Sequence, residues 1–157
     1  MNENPAGYIE VANRLLQKNH DENHMFWRSV AGHNHITHSL LTILAIGGGP
    51  AELQRAFDDG NDIQRPIPPV DYQVVEKLRD PDQFRARIGQ LDQYSNFLVF
   101  FSQEIEAKGY RAVVTEYCFS GSHNAETLFA QLYEGLYHPI IHLAFGIEFE
   151  QPSIIAE

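Results

Sequence analysis

The 157-residue chain is the size of one ordinary domain, 43% hydrophobic and 20% charged, with no tract biased enough for disorder. Its 21 acidic against 11 basic side chains give a formal net charge of −10, and no basic stripe offsets it locally. That balance excludes nucleic acid and anionic membrane surfaces as partners. The single cysteine, Cys118, allows no intrachain disulfide, so a reducing compartment is expected. The opening MNENPAGYIE has neither a basic n-region nor an apolar h-region, and the longest apolar run, Leu40 to Ile46, is too short to span a bilayer. These features predict a soluble, cytoplasmic protein with no membrane segment.

Helical signals dominate in chain order. Tyr8, Val11, Leu15 and Leu16 recur at helical spacing, and the pattern stops in the polar cluster Lys18 to His24. Met25, Phe26 and Trp27 form a short aromatic anchor. A second helix is expected from about Gly32 to Ile46, apolar on nearly every face and therefore central. Gly47, Gly48 and Gly49 end it, and Pro50 opens a third helix over Ala51 to Asp58. Three prolines between Asn61 and Asp71 forbid regular structure and mark a loop or linker.

Short helices are then expected over Tyr72 to Leu78 and Pro81 to Ile88. A long one follows over Leu91 to Lys108, stopped by Gly109. Ala112 to Phe119 is partly β-branched, but its helical surroundings favour helix. Asn124 is placed to cap a helix from about Ala125 to Tyr137. The last residues, Gln151 to Glu157, look like a helix start with Ser153 as N-cap, broken off after one turn. Such a turn cannot cover its two isoleucines alone, which suggests a fragment or a chain completed by a partner. The expected architecture is all-α: an irregular multi-helix bundle, read as one helical domain over residues 1–157 that forms the N-terminal part of a larger helical fold.

The chemistry concentrates in the histidines. GHNHITHSLLTILAIGGGP places His33, His35 and His38 at the mouth of an apolar segment, and GLYHPIIHLAFGIEFE carries His138 and His142. On a helix, His35 and His38 lie about 60° apart and His138 and His142 about 40° apart, whereas His33 points away from His35. Two such pairs on facing helices can converge on one cation, as helical bundles build metal sites. Pro139 sharpens the second pair: its ring displaces the carbonyl of Gly135, so the helix kinks or restarts with His138 at its beginning.

Imidazole suits iron, zinc, copper or nickel. Glu134, four residues before His138, is placed to fix that imidazole's tautomer. A single buried histidine more often serves as a hydrogen-bonded core residue, and HNHxxH has no built-in base of the HExxH kind. His20, His24 and His123 sit among polar residues and read as surface groups. Asn34 either orients a neighbouring histidine or caps the helix. Ser120-Gly-Ser122-His123 is no nucleophile elbow, and Gly47-Gly-Gly49-Pro50 has no phosphate-loop lysine.

HNHITHSLLTILAIGGGPAELQRAFDD, the following Ile63-Gln64-Arg65-Pro66 and GLYHPIIHLAFGIEFEQPSIIAE resemble the questin oxidase-like proteins of fungal anthraquinone and aflatoxin-type pathways. The resemblance covers the whole chain, which corresponds to about the N-terminal third of a usual member. It implies an all-α oxygenase that takes a small polycyclic aromatic polyketide and O2, with Baeyer–Villiger-like or ring-opening oxidation. It further implies non-haem iron, Fe(II), held by histidines and a carboxylated lysine. Carried over by motif, His35 and His138 are the metal ligands, and His38 and His142 are further ligands or catalytic acid/base groups facing the substrate. The remaining ligands, the lysine included, fall in the region this sequence lacks. An open ligand set of this kind would also admit zinc or copper.

Two other readings stand beside the oxygenase. One is a non-catalytic helical subunit or fragment that docks on a partner chain, or on a second copy, through apolar residues left uncovered at Phe145 to Ile155. The other is a metal-free small-molecule binder or cyclase-like protein using histidine acid/base groups.

Overall fold

In the computed structural model, which describes residues 6–28 and 32–157, the expected all-α architecture is observed. The opening residues Met1 to Pro5 lie outside the described residues. The described residues form ten α-helices in order: α1 (Ala6–Glu22), α2 (Ile36–Ala45), α3 (Pro50–Asn61), α4 (Tyr72–Lys77), α5 (Pro81–Arg85), α6 (Tyr94–Lys108), α7 (Tyr110–Phe119), α8 (His123–Gln131), α9 (Glu134–Glu148) and α10 (Pro152–Ala156). Among the described residues there is no strand, only two isolated bridges, and no helix long and apolar enough to cross a membrane. The chain divides into two compact units, 1–67 and 68–157, and the boundary falls in the proline-rich loop.

In the first unit α1, α2 and α3 pack mutually. Their buried faces supply Ala12, Leu15, Leu16, Ile36, Leu40, Leu41, Leu53 and Phe57. Pro50 begins α3 as its residue type favours, and the Glu52 carboxylate accepts the Gly49 N–H at 3.0 Å. α2 starts four residues later than its apolar pattern predicts, at Ile36, and one side of it stays open: Thr42, Ala45 and Ile46 are exposed. The reason lies in the backbone before it. Phe26 and His33 form an antiparallel bridge, with Trp27 N–H on Gly32 O (2.8 Å) and Asn34 N–H on Met25 O (2.7 Å). Gly32 makes the return at φ +88, where a Cβ would stand 2.5 Å from the Trp27 indole, so a larger residue fits neither the angle nor the space.

In the second unit an aromatic core gathers around Phe84, Phe100, Val75 and Leu78, with Phe97, Phe101 and Tyr117 against it. Phe84 meets Phe97 (5.1 Å) and Phe100 (5.7 Å) edge to face and stacks on Tyr117 (5.6 Å), geometries that ring quadrupoles favour. Asp71 and Asp80 cap α4 and α5 by accepting two backbone N–H groups each. Ser122, not Asn124, caps α8, accepting from Ala125 N–H at 3.2 Å; the Asn124 side chain instead ties Arg85 and the Pro81 carbonyl. Residues 112–119 are helical, as their context predicts.

Two features of the chain's last third follow from single residues. Gly135, Leu136 and Tyr137 all carry positive φ (55, 59 and 64), so the regular helix bearing the second histidine pair restarts at His138, beside Pro139. The short α10 begins at Pro152 with Gln151, not Ser153, as N-cap, and it packs on α6 and α9. Gly146 permits this: a Cβ there would lie 2.7 Å from Ile155 Cγ1. Ile154 is thereby 2% exposed, so the terminal turn is covered within its own unit, contrary to the expectation that it lies open.

Arg79, Glu104, Lys108 and Tyr117 form a charged cluster on α6 and α7 and the turn after α4. Burial disfavours the Glu104 carboxylate, but Lys108 Nζ at 2.6 Å, Tyr117 Oη at 3.2 Å and Arg79 Nη1 at 2.9 Å outweigh it and hold its pKa below the ordinary value. A carboxyl depressed on folding stabilises fully above the ordinary carboxylate range and loses that contribution as pH falls through it. Glu104→Gln is expected to cost about 1–2 kcal/mol at neutral pH and to flatten the acid limb of stability. Thermal unfolding between pH 3 and 7 checks both.

Candidate functional site

Three imidazoles meet in the first unit. His33 is buried, His38 half-buried and His35 exposed, and one ligand-capable nitrogen from each lies within 4.8 Å of the others. The His33 and His38 rings stack at 5.4 Å with 16° between planes, and His35 stands 5.8 Å from His33 and 5.7 Å from His38. His35 and His38 are thus brought together as their spacing predicts. His33, expected to point away, joins them. The helical projection fails for it because His33 and His35 precede α2: His35 is the N-cap residue and His33 sits in the bridge with Phe26.

Buried asparagines position this segment. Asn19 on α1 accepts from Asn34 Nδ2 at 2.8 Å and from Asn23 Nδ2 at 3.2 Å, and donates to Thr37 Oγ1 at 3.2 Å. Asn34 Oδ1 accepts the Ile36 N–H at 3.0 Å, which caps α2, while the Asn34 carbonyl lies 2.9 Å from His33 Nδ1. Asn34 therefore does both jobs that the sequence left open. A ring nitrogen that meets a carbonyl carries the hydrogen, which in the neutral ring leaves the electron pair on Nε2.

His24, read as a surface group, is fully buried. Its Nδ1 lies 2.9 Å from Phe26 N and its Nε2 lies 2.7 Å from Arg65 Nη2; the Arg65 carbonyl accepts the His24 N–H. Polar neighbours in sequence misled here, because two of them, Asn19 and Asn23, turn inward onto the asparagine network while Lys18, Asp21 and Glu22 stay exposed. His20 is half-buried and His123 exposed.

Beside the triad lies a groove of about 380 Å3, walled by Trp27, Ile36, Ile43 and Ile63, with His33 and His35 on its rim. Its size falls in the range of small-molecule sites. Gln64 lines it as well, with Nε2 donating to Gly60 O at 2.7 Å while Oε1 is buried with no hydrogen-bond partner. Apolar walls, one indole and a few polar atoms suit a flat aromatic molecule with polar substituents.

In the second unit the other histidines part company. His138, half-buried, lies with Nδ1 2.6 Å from Gly135 O. His142 is buried and its Nε2 lies 3.0 Å from Glu157 Oε2, with both side chains almost wholly inaccessible. Glu157 also bears on Tyr94, whose hydroxyl is raised well above its ordinary pKa, first by burial and then by that negative charge. Neither His138 nor His142 belongs to a group of three or more converging ligands among the described residues. Glu134 is exposed. Burial pushes the half-buried Cys118 thiol up, away from the thiolate a metal would need.

Residues missed from the sequence are His33, Gln64, Trp27 and Glu157. Gly32 before His33 was the available signal, since a glycine there foretells a turn rather than helix. Asn34→Ala removes the side chain shared by Asn19 and Ile36, and with it the anchor of the backbone carbonyl that meets His33. It is expected to cost about 2–3 kcal/mol, read as a fall in the urea midpoint, and to broaden the His33 and His35 ring resonances in NMR spectra.

Comparison with known proteins then supplies the family. The profile described as Questin oxidase-like matches residues 32–157. A questin oxidase of Aspergillus terreus is 82% identical over 157 residues, 100% of this chain and 35% of that protein. A questin oxidase of Aspergillus fumigatus is 70% identical, covering 98% of the chain and 35% of its own length. The Baeyer-Villiger oxidase ptaJ of Pestalotiopsis fici is 65% identical over 99% of the chain and 35% of its length. The chain thus spans about a third of the curated relatives it matches. With a family profile over most of its residues and relatives this alike along its whole length, the chain belongs to the questin oxidase-like family.

Proposed function

We propose that this chain forms part of an oxygenase acting on a polycyclic aromatic polyketide such as an anthraquinone, and that its histidine triad is a metal-binding element of that enzyme. The observation that carries the oxygenase reading is the 82% identity along the full chain to a protein named questin oxidase, with Baeyer-Villiger oxidases among the further relatives. The groove beside His33 and His35 supports an aromatic substrate: Ile36, Ile43 and Ile63 would take the ring faces out of water, and Trp27 offers a flat partner. Gln64 Oε1, buried without a partner, is an acceptor for a phenolic hydroxyl of the substrate.

The donor set fits a transition metal. Three imidazoles within 4.8 Å of one another need shifts of about an ångström to share one ion at ordinary metal–nitrogen distances. The Asn34 carbonyl at His33 Nδ1 is the outer partner such ligands commonly have. His33, His35 and His38 would hold the ion, Fe(II) by the family resemblance, with zinc or copper as competitors. When bound, such an ion supplies a redox centre for the use of O2. His33 is buried with Nδ1 on the Asn34 carbonyl, whereas His35 is exposed on the side a ligand or substrate can approach.

The test uses this chain together with the C-terminal remainder of its Aspergillus terreus relative, loaded with Fe(II) anaerobically and freed of excess. About one metal per complex is expected, falling at least tenfold in His33→Ala, His35→Ala or His38→Ala, with O2-dependent consumption of an anthraquinone by the unsubstituted complex. Unchanged metal content in all three variants, or turnover that survives exhaustive chelation, overturns the metal assignment. A loaded complex that consumes neither O2 nor any anthraquinone overturns the oxygenase reading.

A further inference from the structure

The second unit leaves a connected apolar face uncovered. Phe119 at the end of α7, Phe129 on α8, Tyr133 between α8 and α9 and Tyr137 in the kink form an edge-to-face ladder, with centroid spacings of 5.7, 5.5 and 6.2 Å. Phe119 is 61% exposed, Tyr137 58% and Leu136, beside Tyr137, 83%. At the Phe119 end, a groove of about 410 Å3 adjoins the face, with Val114 and Ile147 on its apolar side and Arg111, Glu148 and Glu150 as a charged rim. Isolated exposed hydrophobics need no explanation, but a connected run of four rings with a groove at its end exceeds what a self-sufficient surface usually shows.

The backbone under this face points the same way. Leu136 and Tyr137 stand in the left-handed region at φ 59 and 64, which side-chain-bearing residues rarely adopt. Strain of this kind persists where surroundings over-determine it. Here the two side chains concerned are among the most exposed large apolar groups of the unit, with Tyr137 meeting only the Tyr133 ring of the same open face among the ring contacts described. The kink thrusts Leu136 and Tyr137 outward.

We infer that this face, from Val114 through Phe119, Phe129 and Tyr133 to Leu136 and Tyr137, is the seat for polypeptide corresponding to the C-terminal two-thirds of the relatives. The relatives carry about two-thirds of their length beyond the region matched by this chain, while matching all or nearly all of the chain itself. A single folded polypeptide of that length must cover such a face with its own later residues or expose it to water, and the aromatic ladder with an adjoining groove suits an apolar helix laid across it. Within the expected docking stretch, Phe145 to Ile155, Gly146 and Ile154 are buried, while Ile147 stays exposed and lines the groove at the Phe119 end of this face. The inference stands independently of the metal and of the reaction.

The experiment mixes this chain with the C-terminal remainder of the Aspergillus terreus relative, produced separately or by co-expression, and measures complex formation by light scattering and titration. A 1:1 complex is expected, weakened at least tenfold by Phe119→Asp with Leu136→Asp. Ile46→Asp, which changes an exposed apolar residue of the first unit, should leave it unchanged. Circular dichroism confirms that the variants fold. A second readout places a thiol at the face: in a Cys118→Ser background, Leu136→Cys should react with a thiol reagent at least a hundredfold more slowly when the remainder is joined or bound. Unaltered affinity in the double variant overturns the inference, as does equal thiol reactivity with and without the remainder. A dimer of this chain that the same substitutions dissociate, with no effect on the remainder, overturns it in favour of a second copy.

Discussion

One buried amide governs the first unit. Asn19 presents its side chain from α1 into a space that α2 and the bridge segment would otherwise fill with apolar groups, and it satisfies Asn34, Asn23 and Thr37 together. Each of those partners is itself buried, so leaving any one unpaired costs about 1–3 kcal/mol. The network holds because it is saturated, and it dictates geometry: Asn34 has one position in which its Nδ2 reaches Asn19 while its Oδ1 caps Ile36. The histidines on either side of Asn34 inherit that position. The triad is therefore a by-product of helix capping, fixed before any ligand is considered.

The second unit works by a different logic. Its centre is aromatic, with rings of α5, α6 and α7 packed around Phe84, and its polar strength lies outside in the Arg79–Glu104–Lys108 cluster. Around this stable centre the chain tolerates an irregular element, the left-handed turn of residues 135–137. The close packing of α10 at Gly146 ties the end of α9 down, so the distortion is confined to its start. Rigid at one end and bent at the other, α9 shows His142 to the interior and Leu136 to solvent.

Much of this was legible in the residues. The helix stops at Gly47–Gly49 and Gly109, the proline-rich break and the distortion near Pro139 each rest on a local stereochemical rule, and local rules survive tertiary packing. What escaped were facts decided by packing between segments. α2 begins at Ile36 because Asn34 reaches back to α1, fifteen residues away in sequence, and no periodicity encodes that. His24 is buried for the same reason: its partner Arg65 lies 41 residues on, so the polar cluster around His24 read as solvent-facing. Ser122 took the cap expected of Asn124 because Asn124 was needed to join α8 to α5 through Arg85 and Pro81. The same competition moved Ser153 inside α10, since Gln151 N–H was already committed to Gly146 O.

The histidine pairs show how far spacing can be trusted. Residues four apart share a helix face, but the His138 ring, at the first residue of the restarted helix, turns back to the Gly135 carbonyl while His142, one turn inside, turns to Glu157. Residues two apart on a helix face nearly opposite ways, yet His33 and His35 converge because both precede α2, where the chain leaves a bridge and enters the helix N-cap. Convergence of donors at the first site thus follows from a change of backbone type at Asn34, and divergence at the second from a change of backbone type at Tyr137. Ligand geometry in this chain is set at the junctions between elements, where a sequence pattern built on uniform elements has least to say.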